Sequence, residues 1–345
     1  MPEKIDQIIN RLDSLHGLER ELESVLQTLV LNDSVIIDAV AQMLGTIQQM
    51  QTRAEEIQKQ LAQEVRQMRR ELNAYGNGGS ALGKPLVAGA DQFERENPKI
   101  ALLAHLAPHL EVPIAIDVGA NVGAVSDRLL KAGCSVYAFE PHGPAFETLK
   151  QKLGSNRNFH ALQFAIGSAD SSMQLHIAKD LSGIGKWDTS LFHSLVEHAM
   201  LNDLQFGESV SVPVRSIDSL RQSREIPEHA GILKVDTEGM DLEVLRGLGT
   251  ADYAIVMAEF WDPHHPFGMS GHGKLSDIVA EMNRRGYQWY AVIYHVDETA
   301  TLSFYCNRDD TVPKAWGNAI FFRDRAMFAR AVTWCEAVLK PTIFG

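Results

Sequence analysis

The chain has 345 residues, enough for two domains of ordinary size or for one domain with an extension. Its 45% hydrophobic and 22% charged residues are typical of a soluble globular protein. The formal net charge of -12 and the scattered basic residues argue against a nucleic-acid partner, which requires a basic surface. The 3 cysteines lie far apart, so their spacing gives neither a disulfide framework nor a zinc site.

Neither a targeting segment nor a membrane span is predicted. The first residues lack the basic region and the apolar region of a secretory signal peptide. No apolar run approaches the ~18 residues that a membrane span needs. We therefore expect a cytoplasmic protein, and widely separated cysteines suit that reducing compartment.

Residues 1–73 are predicted to form a helical coiled coil. Between Ile36 and Leu61 the apolar residues alternate in steps of four and three, as in a heptad seam. A helical hairpin folded onto its own domain is the alternative, but a seam of this length favours self-association, so we expect a homo-oligomer. The glycine-rich residues 74–90 are predicted to be a linker.

Residues 91–345 are predicted to form an α/β domain, because short apolar strands alternate with helical segments and indicate a mostly parallel sheet with helices on both faces. The interval 168–230 interrupts this alternation and is interpreted as an insert. Strands are predicted at 112–119, 135–141, 159–167, 173–178, 209–217, 231–239, 253–261, 287–294 and 318–324. Helices are predicted at 91–110, 123–131, 142–153, 240–248 and 274–285.

The sharpest motif is a glycine loop that contains Asp117, Gly119, Asn121 and Gly123 and joins a strand to a helix. Glycines there let the backbone turn tightly and approach a ligand. Glu140 ends the next strand about 20 residues further on, where nucleotide-binding sheets place the carboxylate that binds a ribose diol. Asn121 stands where the dinucleotide fingerprint has its middle glycine. This difference favours an adenosine ligand without a diphosphate over NAD.

A second, acidic motif occupies residues 234–241 at the end of a later strand. Carboxylates at the ligand-binding edge of a sheet are costly to bury unless they bind something. Asp236 and Glu238 are therefore candidates for a substrate hydroxyl, a general base or a metal, although Glu238 is equally suited to capping a helix. The helix dipole alone accounts for Asp241 and Glu243 in the first turn of the next helix.

The glycine loop, residues 137–141 (YAFEP) and residues 232–248 together resemble the FkbM family of S-adenosylmethionine-dependent methyltransferases. The resemblance covers about residues 95–295 and implies the class I methyltransferase fold, a seven-stranded Rossmann-like sheet with a reversed hairpin at its end. It also implies S-adenosylmethionine as the cofactor and S-adenosylhomocysteine as its product. Many members are associated with O-methylation of sugars, polysaccharides or polyketides.

The same resemblance assigns residues to the cofactor. In the family's pattern the glycine loop surrounds the methionine part, Glu140 binds the ribose, and the next residues lead toward the adenine. Asp117 more often positions the loop or the amino group through hydrogen bonds than it contacts the sulfonium. The matching residues are Asp117, Gly119, Asn121, Gly123, Glu140, Pro141 and Ala165.

Transfer to a hydroxyl requires the acceptor oxygen to lose its proton as it attacks, so a base within hydrogen-bond reach helps. We rank Glu238 and Asp236 first for this role. Glu259, which ends the next strand, and then His264 or His265 follow. Alignment of the reacting atoms supplies much of the remaining rate, so a strong base is not required.

The loop 261–273 contains Asp262, His264, His265 and His272. A flexible lid whose histidines bind substrate hydroxyls is favoured over a metal site, because the spacing matches no recognised ligand pattern. A plain surface loop is a further alternative. We assign no metal ligands, and a divalent metal stays a less favoured addition to the cofactor.

Aromatic residues of the insert are candidates for the acceptor site, because aromatic faces stack on sugar rings. Trp187, His193 and His264 are predicted to bind the acceptor. A plain loop position is an equal alternative for Trp187. For Phe192, a place in the core of an amphipathic helix is favoured over a binding role.

These features predict an O-methyltransferase that acts on a sugar hydroxyl of a polysaccharide or glycoconjugate. The coiled coil is expected to form an oligomer or to hold the domain near a partner glycosyltransferase. One alternative is a methyltransferase of a small metabolite or lipid. The other is a non-enzymatic coiled-coil assembly protein with a vestigial cofactor site, against which the intact Asp117, Gly119, Gly123 and Glu140 argue.

Overall fold

The chain divides into two units, residues 1–84 and 85–345. The predicted coiled coil and linker, residues 1–90, fall outside the described residues except for the helical residues 45–46. None of the helices in the described part is both long enough and apolar enough to cross a membrane. A computed structural model describes residues 45–46, 97–182, 188–197, 203–296 and 302–342.

A 9-stranded sheet forms the centre of the second unit. In the order in which they pair, its strands are β3 (Phe159–Leu162), β2 (Ser135–Phe139), β1 (Ile114–Val118), β7 (Ile232–Val235), β8 (Ile255–Trp261), β11 (Trp316–Phe322), β9 (Trp289–His295), β10 (Ser303–Cys306) and β12 (Lys340–Pro341). The first five strands of this order are parallel, and β11 runs antiparallel between β8 and β9. This is the mixed α/β sheet with a reversed strand that the family resemblance implies, although it has 9 strands and not the seven expected.

Helices cover both faces of this sheet. Side chains alternate between the two faces along each strand, so that Met257 of β8 joins one apolar cluster and its neighbour Val256 joins the other. Because both faces are covered, the central strands are continuous apolar runs in the sequence. The helices are α1 (Pro98–Leu106), α2 (Ala124–Lys131), α3 (Gly143–Leu153), α4 (Ile217–Gln222), α5 (Asp241–Arg246), α6 (Leu275–Arg284) and α7 (Arg325–Val338).

A second, 3-stranded sheet corrects the predicted strand at 159–167. That segment contains two strands, β3 in the central sheet and β4 (Ala165–Ile166) in the second sheet, where β4 pairs with β6 (Leu204–Arg215). The segment is one apolar run in the sequence because each half contributes buried residues to a different sheet, Phe159 to the first and Ala165 and Ile166 to the second. The third strand of the small sheet is β5 (Ser171–Asp180), which pairs with β6.

The helix predicted at 91–110 is also shorter than expected. Pro98 occupies its first turn, where proline needs no hydrogen-bond partner for its nitrogen, and α1 ends at Leu106. The chain then tightens into a 3₁₀ helix, Ala107–His109, that contains Pro108. Three elements of the last third of the chain, β10, α7 and β12, were not predicted.

Candidate active site

The loop between β1 and α2 lies against the loop that follows β7. Gly119 has a φ of 73°, and a Cβ atom there would lie 1.9 Å from the carbonyl oxygen of Asp236. Gly123 has a φ of 87°, and a Cβ atom there would lie 2.6 Å from Leu149 and 2.9 Å from Leu153 of α3. Only glycine allows both approaches, which is why the motif has glycine at these two positions.

Glu140 holds this loop in place. Its Oε2 accepts a hydrogen bond from the backbone N–H of Asn121, and its Oε1 accepts one from His142, both at 2.8 Å. A carboxylate has about four lone-pair sites, so each oxygen can accept a further bond from a ribose hydroxyl. Burial raises the pKa of Glu140, and the two backbone donors oppose the rise. Glu140 is therefore a hydrogen-bond acceptor held in a fixed position, which is what the binding of a ribose diol requires.

Asn121 presents a second polar group at the same place. Its φ of 49° is in the left-handed region, which asparagine enters more readily than most residues. Its Nδ2 donates to Ser190 Oγ at 3.1 Å, whereas its buried Oδ1 has no hydrogen-bond partner among the described residues. Ser190 belongs to the 3₁₀ helix Thr189–Phe192. The amide oxygen of Asn121 can thus accept a hydrogen bond from a ligand.

Asp117 lies fully buried beneath the loop. Its Oδ2 accepts a hydrogen bond from Ser126 Oγ at 2.6 Å, and its Oδ1 lies 3.2 Å from Lys234 Nζ. Lys234 also donates to the carbonyl oxygens of Val118 at 3.3 Å and of Gly119 at 2.9 Å. Asp117 therefore positions the loop from below, one of the two roles expected of it.

Lys234 is a site residue that we did not identify from the sequence. Its side chain is 2% exposed and lies between the loops after β1 and β7. Burial lowers the pKa of Lys234, but the neighbouring Asp117 and Asp236 outweigh burial and raise the pKa above its usual value. The lysine is therefore charged at neutral pH and carries a cation into the centre of the sheet.

A carboxylate cluster forms where β7 and β8 reach this edge of the sheet. Oxygen atoms of Asp236, Glu238 and Glu259 all lie within 4.8 Å of one another. Asp236 and Glu238 are partly exposed, whereas Glu259 is buried. Burial, and then repulsion between the carboxylates, raises the pKa of Glu238 and of Glu259 well above the usual value. The structure thus joins three residues that the sequence ranked for proton transfer.

Glu238 adopts an unusual backbone conformation. Its φ is 54°, a left-handed value that costs a non-glycine residue about 1–3 kcal/mol. Ser194 Oγ donates to its carbonyl oxygen at 2.6 Å and holds the turn. The capping alternative for Glu238 is wrong, because Met240 occupies the N-cap of α5 and no side chain caps that helix. The strain instead accompanies a carboxylate directed into the cluster.

Asp241 does more than neutralise a helix dipole, which corrects the sequence interpretation. It is buried, and its Oδ2 accepts hydrogen bonds from Thr237 N at 3.1 Å and Thr237 Oγ1 at 2.6 Å. Its Oδ1 accepts one from Glu259 N at 2.7 Å. Burial and Asp236 raise the pKa of Asp241 to about 6. Asp241 therefore braces the loop after β7 against β8.

Asn318 is a second residue that the sequence did not reveal. It lies directly opposite Glu259 in the β8–β11 pair, so both side chains are on one face of the sheet. Asn318 is 0% exposed, and neither its Nδ2 nor its Oδ1 has a hydrogen-bond partner within the described residues; the same is true of Glu259 Oε2. Buried polar groups without partners are rare in folded proteins and call for an explanation.

The predicted acceptor residue His193 and the predicted cofactor residues Pro141 and Ala165 are placed as follows. His193 Nδ1 accepts a hydrogen bond from Ala178 N at 3.1 Å, and its ring meets that of His142 edge-on at 4.2 Å. Burial lowers the pKa of His193 to about 4, so the ring is neutral at physiological pH. Pro141 is partly exposed beside Glu140, and Ala165 is buried in the second sheet.

Asp262 fastens the loop after β8. It accepts hydrogen bonds from His264 N at 2.9 Å, from Lys314 N at 2.8 Å and from the Thr311 hydroxyl. The side chain of His264 is 73% exposed, and its Nδ1 lies 3.0 Å from Asp262. In the part of the chain that the structure describes, only Asp236, Glu238 and Glu259 bring three potential metal ligands together.

Aromatic side chains form a wall at the same edge. Trp316, at the start of β11, stacks on His295 with ring centroids 4.6 Å apart and lies 6.4 Å from the ring of His265. All three side chains are partly exposed. Trp187, which the sequence suggested for this role, lies outside the described residues. Phe192 is partly exposed in a 3₁₀ helix, not in the core of the amphipathic helix that was favoured for it.

The residues at this edge fit S-adenosylmethionine. Glu140 retains acceptor capacity for a ribose diol, and the orphaned Oδ1 of Asn121 can accept from an amino group. The glycine loop leaves its backbone close to any ligand at the end of β1. The cluster includes Asp236, whose backbone contacts Gly119, so the carboxyl groups lie beside the same loop.

Known proteins resemble the chain in this region. A family model for the methyltransferase FkbM domain matches residues 117–289. Methyltransferase sdnD of Sordaria araneosa is 29% identical over 174 residues, which are 44% of this chain and 67% of that protein. Hexuronic acid methyltransferase AglP of Haloferax volcanii is 26% identical over 176 residues, 49% of this chain and 65% of that protein. The chain thus spans about two thirds of the length of these relatives.

The solved structures that match the chain are more distant in sequence. A precorrin-6y C5,15-methyltransferase from Geobacter metallireducens has 10% identity and a TM-score of 0.35, with 72% of this chain and 95% of that chain covered. A Streptococcus mutans protein in complex with SAH has 8% identity and a TM-score of 0.35, with 70% and 99% covered. The FkbM match spans half of the chain and includes the glycine loop, Glu140 and the carboxylate cluster, so the chain belongs to the FkbM family and is an S-adenosylmethionine-dependent methyltransferase.

Proposed function

We propose that this methyltransferase acts on a hydroxyl group of a sugar in a polysaccharide or glycoconjugate. The observation that carries the proposal is the contact between the cofactor loop and the carboxylate cluster, where Gly119 leaves no room for a side chain against Asp236. An acceptor hydroxyl bound by the cluster is therefore next to the cofactor. Carboxylates accept hydrogen bonds from hydroxyls, and a sugar presents several hydroxyls at once.

When bound, S-adenosylmethionine supplies an electrophilic methyl group. The residues of the chain bind the hydroxyl, orient its oxygen and remove its proton. Glu238 suits the last task, because it is partly exposed and its raised pKa makes its carboxylate a stronger base than usual. The acceptor O–H bond would break as the O–CH₃ bond forms and the S–CH₃ bond of the bound cofactor breaks, with the proton passing to the Glu238 carboxylate and S-adenosylhomocysteine remaining.

Two observations support a sugar acceptor. Trp316, His295 and His265 offer partly exposed rings at the same edge, and such rings pack against the apolar faces of sugars. One relative bears the name hexuronic acid methyltransferase, a name that refers to a sugar acid. We also propose that the predicted coiled coil of residues 1–73 joins copies of the chain or holds a glycosyltransferase nearby.

The test is methyl transfer from isotopically labelled cofactor to panels of polysaccharides, monosaccharides, lipids and small metabolites. We expect label in an alkali-stable methyl ether of a glycan, and loss of label with Glu238→Gln. Glu243→Gln is the matched control, since Glu243 pairs with Arg246 on α5 outside the cluster. Label confined to lipids or to small non-sugar metabolites would replace the sugar proposal.

A further inference from the structure

Unpartnered polar atoms are concentrated beside the carboxylate cluster. Glu259 Oε2 and both side-chain polar atoms of Asn318 are buried without hydrogen-bond partners in the described chain. These two residues face each other across β8 and β11, and cross-strand neighbours have Cβ atoms about 5 Å apart. Because Glu259 belongs to the cluster, Asn318 lies on the face of the sheet that carries one of the cluster's carboxyl groups.

Three carboxyl groups share this space, those of Asp236, Glu238 and Glu259. Lys234 Nζ lies 3.8 Å from Asp236 but is closer to Asp117, at 3.2 Å. It also donates to the carbonyl oxygens of Val118 and Gly119. One lysine that is shared in this way does not balance three carboxyl groups.

We propose that Asp236, Glu238 and Glu259 bind a divalent cation, with Asn318 Oδ1 as a further oxygen ligand. Carboxylate and amide oxygens are hard ligands, which favour Mg²⁺, Mn²⁺ or Ca²⁺ over zinc. Opposite ligands of such an ion are about 4–5 Å apart, and the cluster oxygens already lie within 4.8 Å of one another. The bound ion satisfies Glu259 Oε2 and the Asn318 amide oxygen together.

The partial exposure of Asp236 and Glu238 leaves the ion open on one side. Two neighbouring sugar hydroxyls can complete its coordination there, which fixes the acceptor oxygen beside the cofactor loop. This role rests on the proposed function, whereas the binding of the ion does not. Each carboxylate needs to supply only one oxygen, so the second oxygen of Glu238 stays free to accept the hydroxyl proton.

The test is titration of the purified full-length chain with Mn²⁺, without cofactor or acceptor, followed by electron paramagnetic resonance and calorimetry. We expect one saturable site per chain that Mg²⁺ or Ca²⁺ competes for. Glu259→Gln and Asn318→Ala should each weaken Mn²⁺ binding by about ten-fold or more. Glu243→Gln, which removes a nearby carboxylate outside the cluster, should leave it unchanged.

Melting temperatures separate lost binding from lost folding. In EDTA, Glu259→Gln should melt at or above the wild type, because it removes repulsion from the cluster, and only the wild type should gain stability from Mn²⁺. Absence of saturable binding in folded wild type, or equal binding in Glu259→Gln, would overturn the site. Saturable Mn²⁺ binding without methylation of any sugar supports the site and counts against the proposed function instead.

Discussion

Lys234 Nζ lies 3.2 Å from Asp117 Oδ1, and both residues are buried under the loop that carries the cofactor motif. The two residues are register partners in the parallel pair β1–β7. Because Lys234 also donates to the carbonyl oxygens of Val118 and Gly119, this ion pair ties the loop to the central strand. The loop is thus held from beneath by charge as well as by its glycines.

Substitution Lys234→Met should destabilise the protein strongly. It leaves the Asp117 carboxylate buried without its cation, a change that costs about 3–5 kcal/mol in the free energy of unfolding. Lys150→Met is the control, because Lys150 pairs with Glu147 on the surface and such pairs contribute about 0–1 kcal/mol. Urea unfolding of both variants measures the difference. Equal, small losses would show that the buried pair does not support the fold.

Substitution Glu140→Ala should weaken S-adenosylhomocysteine binding by about ten-fold or more, equivalent to roughly 1.4 kcal/mol. It removes the ribose acceptor and also frees the backbone N–H groups of Asn121 and His142. Glu147→Ala is the matched control, since Glu147 is an exposed glutamate on α3. Calorimetric titration measures both. Wild-type affinity in Glu140→Ala would remove Glu140 from the cofactor site.

The parts of the site that could be predicted are those that short motifs specify. The glycine loop, Glu140 and the carboxylates all follow directly from strand ends, and parallel strands end at a shared edge. Lys234 and Asn318 could not be found in this way. The carbonyl that Lys234 binds in Val118 is 116 positions away in the sequence, and Asn318 gains its meaning only from its pairing with Glu259. The one feature of the sequence that distinguishes Lys234 and Asn318 is that each is a polar residue within an otherwise apolar strand.

The prediction of the fold also succeeded for local sequence patterns and failed where an element depends on pairing with distant residues. Strands with long apolar runs, such as β1 and β8, were predicted to within a few residues. The break between β3 and β4 was missed, because an apolar run does not say which sheet buries it. The short strands β10 and β12 depend on pairing with each other and with β9, so their own sequences carry little signal.

The stability of the protein in EDTA should fall, relative to Glu259→Gln, as the pH rises. Burial and repulsion raise the pKa of Glu259 in the folded state, so folding favours its protonated form, and that contribution is lost as the pH rises from the usual pKa toward the raised one. Urea unfolding of both proteins between pH 5 and pH 8, a range of about three pH units, measures the difference.

The wild type must be compared with Glu259→Gln because the titration of His193 changes the stability of the protein with pH in the opposite direction. Its lowered pKa, about 4, means that stability increases as the pH rises from there toward the usual value of 6.5. Both proteins share this contribution, so it cancels. A gap that stays constant with pH would show that Glu259 is ionised throughout. Addition of Mn²⁺ at high pH should restore the wild type if the cluster binds the ion.

Substitution Trp316→Ala should raise the KM for the acceptor without changing the affinity for S-adenosylhomocysteine. Trp316 stacks on His295 with centroids 4.6 Å apart and is partly exposed, so the exposed part of its ring can pack against a sugar ring. Loss of such a contact is worth about 0.5–1.5 kcal/mol beyond the lost apolar area, which corresponds to an increase in KM of about two-fold to ten-fold. Trp316→Phe should retain part of the affinity for the acceptor, because it keeps an aromatic ring at this position.

Trp289→Ala is the matched control for Trp316, because Trp289 lies at the other end of β9 and packs on Phe328 of α7. Its loss should lower the melting temperature but leave the acceptor KM unchanged, since β9 ends at His295 on the side of the cofactor loop. Steady-state kinetics with a glycan acceptor that the wild type methylates distinguish the two tryptophans. If both variants change KM equally, the effect is one of general stability, and the aromatic wall does not bind the acceptor.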